Sequence, residues 1–190
     1  MDAIACRILG TAPARFALIG LSMGGYIAAE MLRQAPERAG AARYVSARRI
    51  PPERTEARRT LIAMAEQGRF GDVVDLHFPQ FVHKNRRDDA GLKRVVQLMA
   101  EETGPQAYVR QQKAILSRRD WRASLAQIGC PTVVIVGDSD EMTPPKLAEE
   151  IASGISGARL VLVPDCGHLT TLERPAEVNA ALAAWMADKV

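Results

Sequence analysis

The stretch CPTVVIVGDSD, residues 130–140, constrains the fold more than any other part of this chain. From Thr132 to Val136 every residue is β-branched, with no polar alternation, so a strand here must be covered on both faces. A parallel sheet held between helices meets that condition. ARLVLVPDCGH, residues 158–168, repeats the pattern. Each run is followed by a helix-favouring stretch entered through proline, TPPKLAEEIASGI (143–155) and RPAEVNAALAAWM (174–186). The front of the chain has the same grammar. AIACRILG (3–10) reads as the end of a helix, and a Pro-containing turn leads to the apolar run FALIG (16–20). An Ala-rich helix, GGYIAAEMLRQA (24–35), follows and is closed by the proline of PER (36–38). AARYVSA (41–47) reads as a further strand with little apolar length.

Between these two α/β segments lies a block without strand signals. PPERTEARRTLIAMAEQG opens on proline and stops at Gly68. DDAGLKRVVQLMAEETG sets Leu92, Val95, Val96 and Met99 at i, i+3, i+4 and i+7, one face of a helix. GPQAYVRQQKAILSRRDW repeats the device with Tyr108, Ile115 and Leu116. The expected organisation is an α/β core from residues 1–47 and 128–190, interrupted by a helical lid over 48–127.

Charge follows this division. Residues 48–127 hold 16 Lys and Arg against 10 Asp and Glu, a balance of +6, while 128–190 hold 4 against 9, a balance of −5. The basic block could steer an anionic substrate, although Arg mixed with Glu at helical spacing reads first as a solvated face. It carries no nucleic-acid signature. No run is long enough to cross a bilayer, and the N-terminus lacks the form of a secretory signal, so a cytoplasmic location without membrane partners is expected. Cys6, Cys130 and Cys166 match neither a zinc pattern nor a disulfide framework, so no metal is expected.

Gly20-Leu21-Ser22-Met23-Gly24 has the form G-x-S-x-G between a strand and a helix. That context suits a serine held on a sharp turn with its Oγ exposed, the flanking glycines letting strand and helix approach. A serine nucleophile needs a base, and the base needs an acid to orient it. Of the three histidines, His77 and His83 fall inside the helical block, whereas His168 follows a buried strand, where ligands collect at the sheet edge. Asp138 and Asp140 both follow the other strand. The residue further out on that loop turns back more readily, which favours Asp140. The order Ser22, Asp140, His168 is one of the known orders for such a set.

ALIGLSMGGYIA, CPTVVIVGDSDEMTPP and VLVPDCGHLTTLERPAEV together resemble the elbow, acid loop and histidine loop of the α/β-hydrolase superfamily, in its lid-bearing branch of esterases, enol-lactonases and cofactor-free haloperoxidases. The resemblance implies a partial α/β-hydrolase fold: a mostly parallel sheet with a helical insertion. It implies Ser22 as nucleophile, His168 as base, Asp140 as acid at the end of G-x-x-D, and the backbone N–H of Met23 as an oxyanion donor. The expected substrate is a small-molecule carboxylic ester or lactone, with no cofactor. Family members carry roughly eighty to a hundred residues of strands and an oxyanion loop ahead of the elbow. Against that plan this sequence looks N-terminally truncated, whether through a start placed too late or genuinely. Two consequences are expected: a second oxyanion donor is lost, giving a weak or silent enzyme, and the sheet is left with an edge open to self-association.

Overall fold

Four parallel strands lie side by side in the order in which the chain makes them. The computed structural model describes residues 1–44 and 52–187. Helix α1 (Asp2–Thr11) leads to β1 (Phe16–Leu18), α2 (Met23–Gln34) and β2 (Ala39–Tyr44). Three helices follow, α3 (Pro52–Glu66), α4 (Phe70–Phe81) and α5 (Ala90–Leu116). The chain then returns to the sheet through β3 (Thr132–Gly137), α6 (Pro145–Gly154), β4 (Arg159–Val163), the single turn α7 (Thr170–Glu173) and α8 (Pro175–Ala187). The expected boundary at residues 47 and 48 lies outside the described residues.

Strand β3 is buried along its whole length. Successive side chains of a strand point to opposite faces, and its two faces build two cores. Val134 and Val136 pack with Ala28, Ala29 and Leu32 of α2 and with Ala148 and Ile151 of α6. Val133 and Ile135 pack with Val178 and Trp185 of α8. The Trp185 Nε1–H donates to the carbonyl of Pro131 at 3.1 Å, fixing α8 at the start of the strand. Burying each such aliphatic side chain contributes about 1.5–3 kcal/mol, so this strand anchors the domain.

Strand β2 reaches Tyr44 despite its low apolar content, because it pairs with β1 on one side and β3 on the other. Pairing on both sides satisfies its backbone groups. Among the described residues β1 pairs only with β2. It is three residues long, and Ile19 just beyond it is 54% exposed, so this edge of the sheet is open. At the other edge Leu160 and Leu162 of β4 are also exposed.

AIACRILG lies within α1, which ends at Thr11. Its final carbonyls are met by Arg38, whose Nη1 donates to Leu9 O at 3.0 Å and whose Nη2 donates to Ala12 O at 2.8 Å and Pro13 O at 2.7 Å. A cation at a helix C-terminus satisfies orphan acceptors and opposes the negative end of the dipole.

The middle of the chain is helical, as its periodicity indicates. Helices α3, α4 and α5 share a core of Ile62, Ala65, Val73, Tyr108 and Val109. Gly68, at φ +81°, makes the turn between α3 and α4. The two helices expected over 89–116 run on as α5 with a break at Gly104 (φ +73°, ψ +159°), and Pro105 begins the second half. Glycine adopts that backbone without strain, and proline suits a first helical turn. Leu92 and Val96 are buried with Phe78 and Val82, whereas Val95 and Met99 are exposed.

Gly137 closes β3 against the loop that follows β4, and a Cβ there would run into the carbonyls of Cys166 and Gly167. Gly137→Ala is expected to lower stability by about 1–3 kcal/mol, read as a shift in the urea unfolding midpoint.

Candidate active site

The turn between β1 and α2 places Ser22 at φ 52°, ψ −117°, where few non-glycine residues lie. Holding a residue there costs on the order of 1–3 kcal/mol, and such strain gathers at functional positions. Two bonds fix the turn, Gly24 N–H to Leu21 O at 2.8 Å and Gly25 N–H to Ser22 O at 3.0 Å. A Cβ on Gly20 would meet the backbone of Gly24 and Gly25, so Gly20 is required for the close approach. Gly24 is different: a Cβ there would meet nothing within 4 Å. Only one of the two flanking glycines is therefore demanded by contacts among the described residues. Met23 is the first residue of α2, so its N–H is one of the orphan donors at the positive end of the helix dipole.

The loop after β3 carries Asp138 and Asp140, and the structure gives them different surroundings. Asp140 Oδ2 lies 2.8 Å from His168 Nδ1, with both side chains buried. Its Oδ1 accepts the N–H groups of Met142 and Thr143 at 2.8 Å each, and Oδ2 also accepts the Thr143 hydroxyl at 2.7 Å. Burial alone would raise this carboxyl. The bonds from His168 and Thr143 outweigh it and hold the pKa below the ordinary carboxylate value. An ionised Asp140 can only accept a hydrogen bond, so Nδ1 carries the proton and, in that tautomer, Nε2 does not. Asp138 instead accepts the N–H of Asp165 at 3.0 Å and of Cys166 at 3.2 Å, tying the two loops together.

The His168 loop is held from the other side by the end of α4. The N–H groups of His168 and Leu169 both donate to Phe81 O, at 2.9 and 3.0 Å. Glu173, only 4% exposed, accepts Gly167 N–H through Oε1 at 2.9 Å and His83 N–H through Oε2 at 2.7 Å. A Cβ on Gly167 would strike the backbone of Val82 and His83. His83 thus lies beside this loop and contributes its backbone, while its own ring accepts the Asn85 N–H.

Ser22, Met23 and His168 line one cavity of about 860 Å³, whose remaining wall comes largely from α3, α4 and α5. His77, set aside by position in the sequence, also lines it. Its Nε2 is 3.2 Å from Tyr108 Oη and its ring stacks on Phe81, which stacks in turn on His168. Burial, and then the Arg58 charge, push its pKa down to about 4. Burial pushes Tyr108 up to about 12. Cys166 is fully buried in the α8 core, and burial followed by the Glu173 charge raises its thiol to about 12, which suits packing rather than reactivity.

Sequence reasoning did not find Thr143, Glu173 or His77. Thr143 had a signal in its place three residues past Asp140, the spacing of a side chain that closes a turn on itself. His77 had none, because its partner lies 31 residues away, and for Glu173 the bond to His83 spans 90 residues while the bond to Gly167, six residues back, follows no regular pattern. Among the described residues no cluster suits a metal ion, and no helix is long and apolar enough to cross a membrane.

A strained serine between strand and helix, an Asp–His pair from two later strand ends and a cavity joining them are the arrangement of one class of enzyme fold. The chain belongs to the alpha/beta hydrolase family, whose sequence profile matches residues 2–181. It is 28% identical over 191 residues to BpoC of Mycobacterium tuberculosis, provisionally named a non-heme bromoperoxidase, covering 94% of this chain and 70% of that one. It is 28% identical over 171 residues to the pimeloyl-[acyl-carrier protein] methyl ester esterase of Nitrosomonas europaea, covering 86% of this chain and 68% of that protein. A thermophilic esterase from Thermogutta terrifontis superposes with a TM-score of 0.89 at 27% identity, over 98% of this chain and 72% of that one.

The environment of His77 predicts an acid sensitivity. With a pKa of about 4 when folded and an ordinary value of 6.5, the unfolded chain binds more protons between these limits. Stability is then fully present above pH 6.5 and falls as pH drops towards 4. Moving from pH 7 to pH 5 should cost roughly 1–2 kcal/mol through this residue. In His77→Phe, urea unfolding at the two pH values should lose that part of the difference.

Proposed function

We propose that this chain is a serine hydrolase that cleaves a carboxylic ester or lactone through an acyl-enzyme. The buried pair of Asp140 and His168, 2.8 Å apart beside a cavity that Ser22 also lines, carries the reading. Ser22 Oγ attacks the carbonyl carbon while His168 Nε2 takes its proton. Asp140 holds the ring in the tautomer that leaves Nε2 free and stabilises the imidazolium. The Met23 N–H, at the positive end of α2, faces the negative charge that builds on the carbonyl oxygen. His168 returns the proton to the departing alcohol, or to the ring-opened hydroxyl of a lactone. Water then repeats the sequence in reverse and frees the acid and Ser22. Residues 48–127 act as a lid whose apolar helices keep bulk water from the acyl-enzyme.

One observation favours a second reading, a catalytically weak or silent hydrolase-like protein that works by association. Strand β1, which carries the elbow, is an edge strand, and Ile19 beside it is exposed. A strand edge of this kind is a template for another chain.

Hydrolysis of p-nitrophenyl butyrate by the purified protein and by Ser22→Ala separates the two. The hydrolase reading expects release to fall at least about a thousandfold in Ser22→Ala, and about ten-thousandfold in Asp140→Asn. A fluorophosphonate should add one covalent mass to the wild type and none to Ser22→Ala. Equal rates and no adduct would leave only the second reading.

A further inference from the structure

The cavity is lined chiefly by apolar side chains, among them Phe70, Val73, Val74 and Val96, and into this setting it admits guanidinium groups. Arg58 of α3 is the best defined of them. One of its nitrogens donates to Gln112 Oε1 in a short bond, so among the described residues its hydrogen-bond partner is a neutral amide. The charges and dipoles that act on it are the phenols of Tyr26 and Tyr108 and the like charge of Arg54, and burial depresses its pKa. Its field also discourages protonation of His77. Arg118, 9% exposed, lines the same cavity with its guanidinium 4.3 Å above the Tyr26 ring. Asp120, the carboxylate in the lining besides these cations, is gripped by Arg122 at 2.5 and 2.9 Å.

A desolvated cation beside other cations is costly unless an anion joins it. Nothing in the Ser22, His168 and Asp140 chemistry uses Arg58, so the cost is not explained by bond cleavage. A planar guanidinium with free N–H donors matches a carboxylate two bonds at a time. The cavity has room for such a group together with an ester: 860 Å³ lies within the range of about 300–1,000 Å³ in which small molecules are held.

We propose that Arg58 binds a carboxylate of the substrate inside the cavity, so that the chain selects half-esters of dicarboxylic acids over neutral esters. This rests on the hydrolase reading for its turnover but not for its binding. Of the sixteen basic residues in the helical block, Arg54, Arg58, Arg118 and Arg122 line the cavity; Arg54 donates to Met142 O and Arg122 to Asp120, whereas Arg58 donates to the neutral amide of Gln112.

The test compares the p-nitrophenyl half-ester of adipic acid with its methyl-capped, neutral analogue. The wild type should favour the half-ester in kcat/KM, and Arg58→Gln should lower the ratio of the two about tenfold to a hundredfold. Arg58→Lys keeps a charge on a similar stem and should give an intermediate ratio, which guards against misreading a folding defect. A fall by the same factor on both esters, or a wild-type ratio at or below one, would overturn the subsite. Calorimetry of monomethyl adipate binding to Ser22→Ala separates this proposal from the hydrolase reading. Binding that disappears in the Ser22→Ala, Arg58→Gln double variant upholds the subsite even where no turnover is seen. Turnover of the neutral ester with no dependence on Arg58 upholds the hydrolase and removes the subsite.

Discussion

Glu173 joins the two parts of the chain that must meet for a site to exist. Its carboxylate is buried and accepts one N–H from the loop that carries His168 and one from the segment leaving α4. A buried carboxylate with both oxygens engaged by backbone donors is strongly held, because removing either donor leaves a charge with no solvent to receive it. Around this pair, His168 and Leu169 bond to Phe81, and Arg86 donates to Glu173 O at 3.1 Å. Val82, Phe78, Leu92 and Val96 close over Leu169 and Leu172 as an apolar seal. The helical block is thereby fixed to the histidine loop itself, so movement of α4 and the position of the imidazole are mechanically linked.

The parts legible in the sequence are those whose physics is local or repeats at short range. Strand β3 announced itself by five β-branched residues in succession, and α3 by a proline at one end and Gly68 at the other. The break in α5 was readable as a Gly-Pro pair, although the two halves were expected as separate helices. Strand β2 was faint in the sequence because its pairing partners lie at positions 16–18 and 132–134, far from it along the chain. Helix α1 was readable only as a fragment, since its last turn is completed by Arg38, more than twenty residues on. The same rule separates the site residues. Ser22, Asp140 and His168 each sit where a strand ends, a position that sequence pattern reports. His77 faces the cavity from the middle of a helix, and no short-range pattern distinguishes such a residue from one that packs in a core.

Electrostatics divides the cavity into two functions. Around His168 the carboxylate of Asp140, supported by Thr143, fixes the ring in one tautomer. Around His77 the apolar wall and then the guanidinium of Arg58 favour the neutral ring, with a pKa of about 4. Phe81 lies between the two rings, stacked on both, at centroid distances of 5.2 Å and 5.9 Å. The imidazoles are close enough to share an aromatic neighbour, yet their charge environments are opposed. His168 is bonded to a carboxylate and His77 to a phenol.

The strained turn at Ser22 needs support, and an edge strand of three residues supplies little of it. In this chain the elbow is braced from the helical side. Met23 packs with Tyr26 and Ile115, and Met1 and Leu116 join the same cluster, so α1, α2 and α5 converge on the residue next to the serine. Arg118 rests on the Tyr26 ring and extends that brace towards the cavity. The backbone of Gly20, pressed against Gly24 and Gly25, ties the end of β1 to the first turn of α2. Strain of a few kcal/mol at Ser22 is therefore opposed by apolar burial of Met23, Tyr26 and Ile115, each worth a comparable amount. Because α5 belongs to the helical block, the helices that wall the cavity also hold the serine in its strained conformation, and a substrate that presses on them acts on the elbow as well.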